Sequence, residues 1–312
     1  MTDKMPVLLR PTTQTVHTYE RLKQCSRCGT YSVLWHESCL ECGSQRKFLS
    51  VHDIVRGILR RNLQRDLLLM AAGSLAAYFL ARSFEQMAAA IAGGVLLIVL
   101  YVLLRRRYSQ TLRLVTLRKL LQRESFAIRE GLLLDVQDAA SDIESENFKE
   151  AYEKLREIGF LITGNHIRVL KAFCLNRFIL RSDMELELSS LIPDEFEPSF
   201  VYYLNEICKV SPQLVKRDTL DYVMKHRIQI GGMIEGRATL ALVAAAALRV
   251  KEYVFEYSSL LYDFVDDLPR ERLLRLCRLL GEHHDRAAQL HEKAQETARR
   301  KYEFDPEFQG FI

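Results

Sequence analysis

The chain has 312 residues, 48% of them hydrophobic and 27% charged, with a formal net charge of +4. That length has room for a membrane unit and one or two further domains, and the hydrophobicity is too modest for a chain made mostly of membrane spans. The basic excess is not spread along the chain: much of it flanks one apolar stretch, where attraction to anionic lipid heads is sufficient to explain it.

Residues 1–23 come first. The opening MTDKMPVLLRPTTQ has only a very short apolar run before Arg10 and Pro11, so no cleavable leader is expected. Pro6, Pro11, Thr12, Thr13 and Thr15 suggest an extended or loosely ordered arm.

Four of the 7 cysteines then form a pattern. Cys25-Ser-Arg-Cys28 is followed by Cys39-Leu-Glu-Cys42. Two such pairs, brought together by a short hairpin, supply four thiolates at tetrahedral spacing, which zinc accepts readily. Iron takes the same four-thiolate geometry. Gly29 and Gly43 each follow the second cysteine of a pair, where a glycine lets the chain turn back so that amides reach the sulfurs. Tyr31, Val33 and Trp35 alternate between the pairs and suit a small strand. With four cysteines in place, the cage has no open position and the metal is structural. His36, between the pairs, reads as a surface residue. Over residues 24–48 the chain resembles the zinc ribbon family, in particular the short ribbons at the N-termini of many bacterial membrane-bound and regulatory proteins. The resemblance implies a structural zinc, a knuckle-and-strand fold and a role in holding a protein or nucleic-acid partner.

Ser50-Val-His-Asp53 offers helix-capping residues. Beyond it Ile54, Val55, Ile58, Leu59, Leu63 and Leu67 recur at helical spacing, with arginines on the other face. Residues 50–66 are therefore a basic amphipathic helix, which either lies on the inner leaflet or runs unbroken into the apolar stretch beyond it.

Residues 67–104 are a pair of apolar segments. Leu67–Ala81 is short for a bilayer; Met87–Leu104 carries no charge and is long enough to cross one. Arg82-Ser-Phe-Glu-Gln86 separates them. We expect a two-helix transmembrane hairpin. Arg56, Arg60, Arg61 and Arg65 precede it and Arg105, Arg106 and Arg107 come after it, so the positive-inside rule places both termini in the cytoplasm of a multi-pass cell-membrane protein. A reducing compartment in turn favours metal over disulfides for the four cysteines. Ala71, Ala72, Gly73, Ala76 and Ala77 are expected to face Ala88, Ala89, Ala90, Ala92, Gly93 and Gly94 across a close helix contact.

Residues 105–302 show repeated helical periodicity and few strand signals, the mark of an α-helical bundle or α-solenoid. Gly131 is expected to interrupt a long helix that continues from the membrane. Helices are expected at 147–158 with a stop at Gly159, and at 167–180, 198–209, 213–225, 235–250, 252–264, 270–280 and 282–302. Residues 147–155 are similar to the first helix of a tetratricopeptide unit, but no period of about 34 residues recurs. Residues 238–248 are uncharged and too short for a bilayer, which suits a central core helix.

No GxSxG, HExxH, GxGxxG or GxxxxGK[ST] frame occurs, so no enzyme is expected. Cys174, Cys208 and Cys277 read as small core residues. His283-His284-Asp285, with Glu282 and His291, reads as a solvated helix face. Glu185, Glu187, Asp194, Glu195 and Glu197 make an acidic surface patch, and Asp263, Asp266 and Asp267 lead into the next helix. In residues 303–312, Phe304, Phe308, Phe311 and Ile312 are expected to dock back on the helical domain.

The chain as a whole is thus expected to be a mainly α membrane protein. It would be an anchored scaffold or assembly factor holding protein partners at an anionic inner leaflet. The alternative is a membrane-tethered regulator that touches nucleic acid through Arg21, Lys23, Arg27, Arg46 and Lys47, with Tyr31 and Trp35 as stacking platforms. Homo-oligomerisation stays open.

Overall fold

A computed structural model describes residues 4–12, 14–45, 48–282 and 286–311. The chain divides into two compact units, one of Thr13–Asp138 and one of Met1–Thr12 with Ala139–Ile312. His283, His284 and Asp285 of the expected histidine-rich face, Arg46 and Lys47 of the expected basic patch, and Ile312 lie outside the described residues.

In the first unit, a 3₁₀ turn at Thr18–Arg21 leads into a three-stranded sheet of β1 (Lys23–Cys25), β2 (Tyr31–Ser32) and β3 (Phe48–Ser50). The strand order is β2-β1-β3, both pairings antiparallel, with Gln24 opposite Tyr31 on one side and Leu49 on the other. The expected alternation of Tyr31, Val33 and Trp35 does not hold. Tyr31, Ser32, Val33 and Leu34 are buried in succession.

Ser50 ends β3 and caps the next helix, accepting the Asp53 amide at 3.2 Å. That helix, α1 (Val51–Leu80), runs 30 residues without a break. The amphipathic stretch and the first apolar segment are therefore one continuous helix. The reversal after α1 is tighter than the sequence suggests. Ser83 caps α2 (Phe84–Arg107) by accepting the Gln86 amide, and the Gln86 side chain accepts the Arg82 amide at 3.0 Å. Only residues 81–83 are left as a turn.

α1 and α2 pack as an antiparallel pair. The close contact is Ser74 against Gly94. A Cβ on Gly94 would lie 2.7 Å from the Ser74 Cβ, and Gly94 is the one buried residue of α2. The expected facing rows of alanines do not form: Ala71, Ala72, Ala76 and Ala77 are exposed. At the far end from the turn, Tyr101 donates to Asp66 at 2.7 Å, and Arg105 donates to Tyr101 at 2.6 Å and to the Leu59 carbonyl at 2.5 Å. The basic flanks of the two helices meet at that end.

Among the described residues, α2 is the one helix long and apolar enough to cross a membrane, with mean hydropathy 2.6 and 6% of its apolar window buried. The apolar half of α1, from Leu67 to Leu80, is about 21 Å long at 1.5 Å per residue, short of a hydrocarbon core of roughly 30 Å. The expectation of two spans is met by one. A buried core helix does not describe α2 either, because Val95, Leu96, Leu97 and Leu100 on it are exposed. A short bend at Tyr108 leads into α3 (Ser109–Arg123), which packs on α1, and then α4 (Ser125–Glu144). Gly131 sits inside α4 and does not interrupt it.

The second unit is a helical bundle: α5 (Phe148–Gly159), α6 (Asn165–Leu175), α7 (Pro198–Val210), α8 (Arg217–Lys225), α9 (Arg227–Gly231), α10 (Gly236–Ala247), α11 (Lys251–Glu256), α12 (Ser258–Phe264), α13 (Arg270–Gly281) and α14 (Ala288–Tyr302). α10 lies at its centre, packed on α7, α8, α9 and α12, as its alanine-rich, uncharged sequence suggests. The expected helix at 252–264 is two, bent at Tyr257, and that at 213–225 is a 3₁₀ turn followed by α8.

The strongly amphipathic α5 is buried on its polar side as well. Glu153, Lys154 and Arg156 are 4%, 3% and 4% exposed. The N-terminal arm covers two of them: the Arg10 amide donates to Glu153 at 2.8 Å and Arg156 donates to the Arg10 carbonyl at 2.6 Å, while Lys154 pairs with Asp142 of α4 at 2.6 Å. Met5 exchanges backbone bonds with Arg177 and Ile179. Residues 4–12 are an ordered strap on this unit, where an extended or loosely ordered arm was expected. At the other terminus Phe308 is fully buried and stacks on Tyr302, while Arg270 holds Asp305 and Glu307. Phe304 stays exposed.

Candidate metal centre

The two cysteine pairs are built by the same local turn. In the first, the Gly29 amide donates to the Cys25 carbonyl at 3.0 Å and the Cys25 amide to the Thr30 carbonyl at 2.9 Å. In the second, Gly43 donates to Cys39 at 2.9 Å and Cys39 to Ser44 at 3.0 Å. Gly29 has φ +82° and Gly43 φ +63°. Those left-handed conformations close each turn and are the reason a glycine follows each second cysteine. The Arg27 amide also points at the Cys25 sulfur, at 3.4 Å.

The turns bring the four sulfurs together. Cys25 Sγ lies 3.8 Å from Cys42 Sγ, Cys28 Sγ lies 3.5 Å from Cys39 Sγ, and all four are within 4.8 Å of one another. A tetrahedral zinc with bonds of about 2.3 Å sets its sulfurs about 3.8 Å apart. The donors present therefore fit a four-thiolate metal, zinc included. Burial pushes Cys39 up to about 12. Burial acts the same way on Cys28, but hydrogen bonds from Thr30, whose hydroxyl is 3.1 Å away, outweigh it and bring the thiol down to about 6. Of these two thiols Cys28 thus gives up its proton more readily, and the thiolate is the form that binds metal.

The cluster does not stand alone. α4 docks against the segment between the two pairs. A Cβ on Gly131 would overlap the Tyr31 carbonyl oxygen and sit 2.8 Å from its carbon, so glycine permits the two backbones to touch. One turn on, Asp135 is fully buried and accepts the Val33 amide at 2.9 Å and the Ser32 hydroxyl at 2.8 Å. Burial pushes its carboxyl up to about 6 against the pull of those two bonds. A further turn on, Asp138 meets His36 Nε2 at 2.9 Å. His36 is therefore held by α4, where a free surface residue was expected. The burial of residues 31–34 has the same origin, since β1 covers one side of the segment and α4 the other. No local signal marks these contacts, because each joins residues about a hundred positions apart.

The other candidate residues are occupied in the framework. Cys174 and Cys208 are pushed up to about 12 and Cys277 to about 11 by burial, and all three are buried thiols in the helical core. In the acidic patch, Glu185 accepts from Thr12, Glu187 pairs with the buried Lys171, Asp194 pairs with Arg168, and Glu197 caps α7. Asp263, Asp266 and Asp267 pair with Arg227, Arg300 and Arg237. Of the aromatic platforms expected for nucleic acid, Tyr31 is 1% exposed and presents no face to a base.

No family model, curated protein or solved structure matches this chain.

Proposed function

We propose that the protein is a membrane-anchored scaffold or assembly factor, with a zinc ribbon and a helical bundle as its partner-holding parts. The observation that carries this reading is the surface of the α1–α2 pair. Phe79, Leu80, Phe84, Ile91, Leu96 and Leu97 are more than half exposed, and a patch of that kind calls for lipid or a partner. The polar lock of Asp66, Tyr101 and Arg105 closes the apolar stretch at the end where the basic flanks gather, which supports insertion of both helices from that side. α2 would cross the core, and the shorter apolar half of α1 would accompany it. The basic end of the pair, where α2 ends at Arg105, Arg106 and Arg107, would then face the cytoplasm, at an anionic inner leaflet.

The reading assigns the four cysteines a structural zinc. Cys25, Cys28, Cys39 and Cys42 would hold it, and the ion would tie the two knuckles into one rigid platform. The partner is read as protein, because Tyr31 is not available for stacking.

The test is purification of the full chain in mild detergent, with metal analysis and mass spectrometry of what accompanies it. We expect one zinc per chain and a protein partner retained at high salt. Nucleic acid retained at low salt with no protein partner would overturn the scaffold reading, and a chain with well under one metal would overturn the ribbon.

A further inference from the structure

Within the first unit a groove runs along α3, made of two adjoining clefts. α1, α3 and the Thr18–Arg21 turn enclose the first, of about 360 Å³. The second, of about 650 Å³, shares Tyr19, Leu114 and Leu117 with it and extends to Leu121. The floor has the rhythm of a helix-packing seam: Leu114, Leu117 and Leu121 recur three and four residues apart on one face of α3. Val55 and Leu117 are buried against each other's helices, but Leu114 is 63% exposed and Leu121 half-buried. The seam is thus closed on the α1 side and open on the other.

The rim is basic. Arg56, Arg113 and Arg118 line the clefts and no carboxylate does. Arg113 and Arg118 pair with no carboxylate among the described residues, and Arg56 meets only the exposed Asp53, at 3.3 Å.

Position and charge narrow the occupant. Leu114 and Leu121 lie nine and sixteen residues past Arg105 on helices that bend at Tyr108, about 14 and 24 Å at 1.5 Å per residue. Headgroup layers extend only about 5–8 Å beyond the hydrocarbon, so the groove stands clear of a bilayer that holds α2. A second copy of α3 is a poor fit, because Ser109–Arg123 carries Arg113, Arg118, Lys119 and Arg123 and no acidic residue. The seam would then set like charges face to face. The chain's own acidic, aromatic tail is engaged elsewhere, with Phe308 buried and Asp305 and Glu307 held by Arg270. An apolar seam between unpaired arginines is complementary to a helix with an apolar face and acidic flanks.

We propose that this groove docks one amphipathic helix of a protein partner, its apolar face on Val55, Leu114, Leu117 and Leu121 and its glutamates or aspartates on Arg56, Arg113 and Arg118. From Gln110 to Leu121 the seam is about 17 Å long, which takes a helix of about three turns. The site rests on the scaffold reading and deepens it, by giving the partner a place and a chemistry.

The test is fluorescence anisotropy of a labelled, stapled helical peptide against the full chain in mild detergent. The probe has leucine at alternating spacings of three and four, with glutamate on its flanks; a counterpart has lysine in place of glutamate. Micelle partition is common to all variants of the chain, so differences between variants read the groove. We expect one acidic peptide per chain, bound about tenfold or more tightly than its lysine counterpart. Arg113→Glu with Arg118→Glu should reverse that order. Arg106→Glu with Arg107→Glu makes the same change of charge at the end of α2 and should keep it. Leu114→Gln, at an exposed position, should weaken the acidic peptide about tenfold. Equal loss in both double variants would reduce the site to general basic charge and overturn the proposal. So would an order unchanged by the groove variant, a single-stranded oligonucleotide that outcompetes the acidic peptide, or a dimer that cross-links through Leu114→Cys in both copies. The scaffold reading is scored separately, by what co-purifies with the chain. A protein partner that the Arg113→Glu, Arg118→Glu variant still retains sinks the groove alone, whereas nucleic acid in place of any protein partner sinks the scaffold.

Discussion

Replacing Gly131 by alanine separates two opposite expectations. Gly131 lies inside α4, where alanine ordinarily favours the helix by about 1 kcal/mol. On helix propensity alone, Gly131→Ala stabilises the protein. The structure reverses the sign. The new methyl would overlap the Tyr31 carbonyl oxygen and stand 2.8 Å and 3.0 Å from the Tyr31 carbon and nitrogen, all of them backbone atoms that cannot rotate aside. Relief requires α4 and the segment around Tyr31 to separate by about an ångström, judged against an ordinary contact of 3.5–4.0 Å. Asp135, one turn away, would then lose or stretch its bonds to Val33 and Ser32. Hydrogen bonds to a charged group are worth roughly 1.5–3 kcal/mol each. After subtracting the gain in propensity, a net loss of about 2–5 kcal/mol is expected if both bonds are lost. Amide hydrogen exchange on the full chain in detergent reads it locally: the Val33 amide should exchange on the order of 30-fold faster or more, while amides of the helical bundle keep their protection. An unchanged or slower Val33 amide with raised thermal stability would refute the docking of α4 on the segment between the cysteine pairs.

Gly94→Leu should overpack the α1–α2 contact and lower the detergent unfolding temperature, at a cost of about 1–3 kcal/mol. Gly93→Leu, whose Cβ meets nothing within 4 Å, should not. The Asp135 carboxyl, raised to about 6 from 3.8, binds its proton more tightly in the folded state. Its contribution to stability is thus full below pH 4 and is lost as the pH rises through 6, a swing of roughly 3 kcal/mol. The stability of the natural chain relative to Asp135→Asn should fall across that window and be flat above it; a flat difference throughout would contradict the burial. Arg270→Ala removes the clamp on Asp305 and Glu307, so limited proteolysis should cut within residues 303–312 faster, with the rest of the bundle intact.

The local chemistry of the cluster could be read from the sequence because each part of it spans only a few residues. A CxxC pair, a glycine in left-handed backbone and a helix cap at Ser50 are complete within five positions. Gly159 and Pro198 marked helix ends for the same reason. Contact between distant segments escaped. Gly131 looked like a helix breaker, since nothing near it announces the Tyr31 backbone against which it packs. The strap of residues 4–12 was invisible because its partners, Glu153 and Arg156, sit on the polar face of an amphipathic helix, which normally faces water. Asp66 carries no local mark of its role, because its partners Tyr101 and Arg105 lie on the other helix. The small-residue rows misled in the opposite way. They offered many close contacts, and the geometry uses Ser74 and Gly94.

The anchor is tested most directly by alkaline extraction of membranes holding the full chain or the variant Leu96→Arg. Leu96 lies near the middle of α2 and is 67% exposed. In water an arginine there is harmless and improves solubility. At the centre of a bilayer it costs roughly 2.5–3.5 kcal/mol. We predict that the natural chain stays in the membrane pellet and that Leu96→Arg lowers the membrane-retained fraction severalfold. A natural chain released to the supernatant, or a Leu96→Arg variant that is better behaved in aqueous buffer than its parent, would contradict the account.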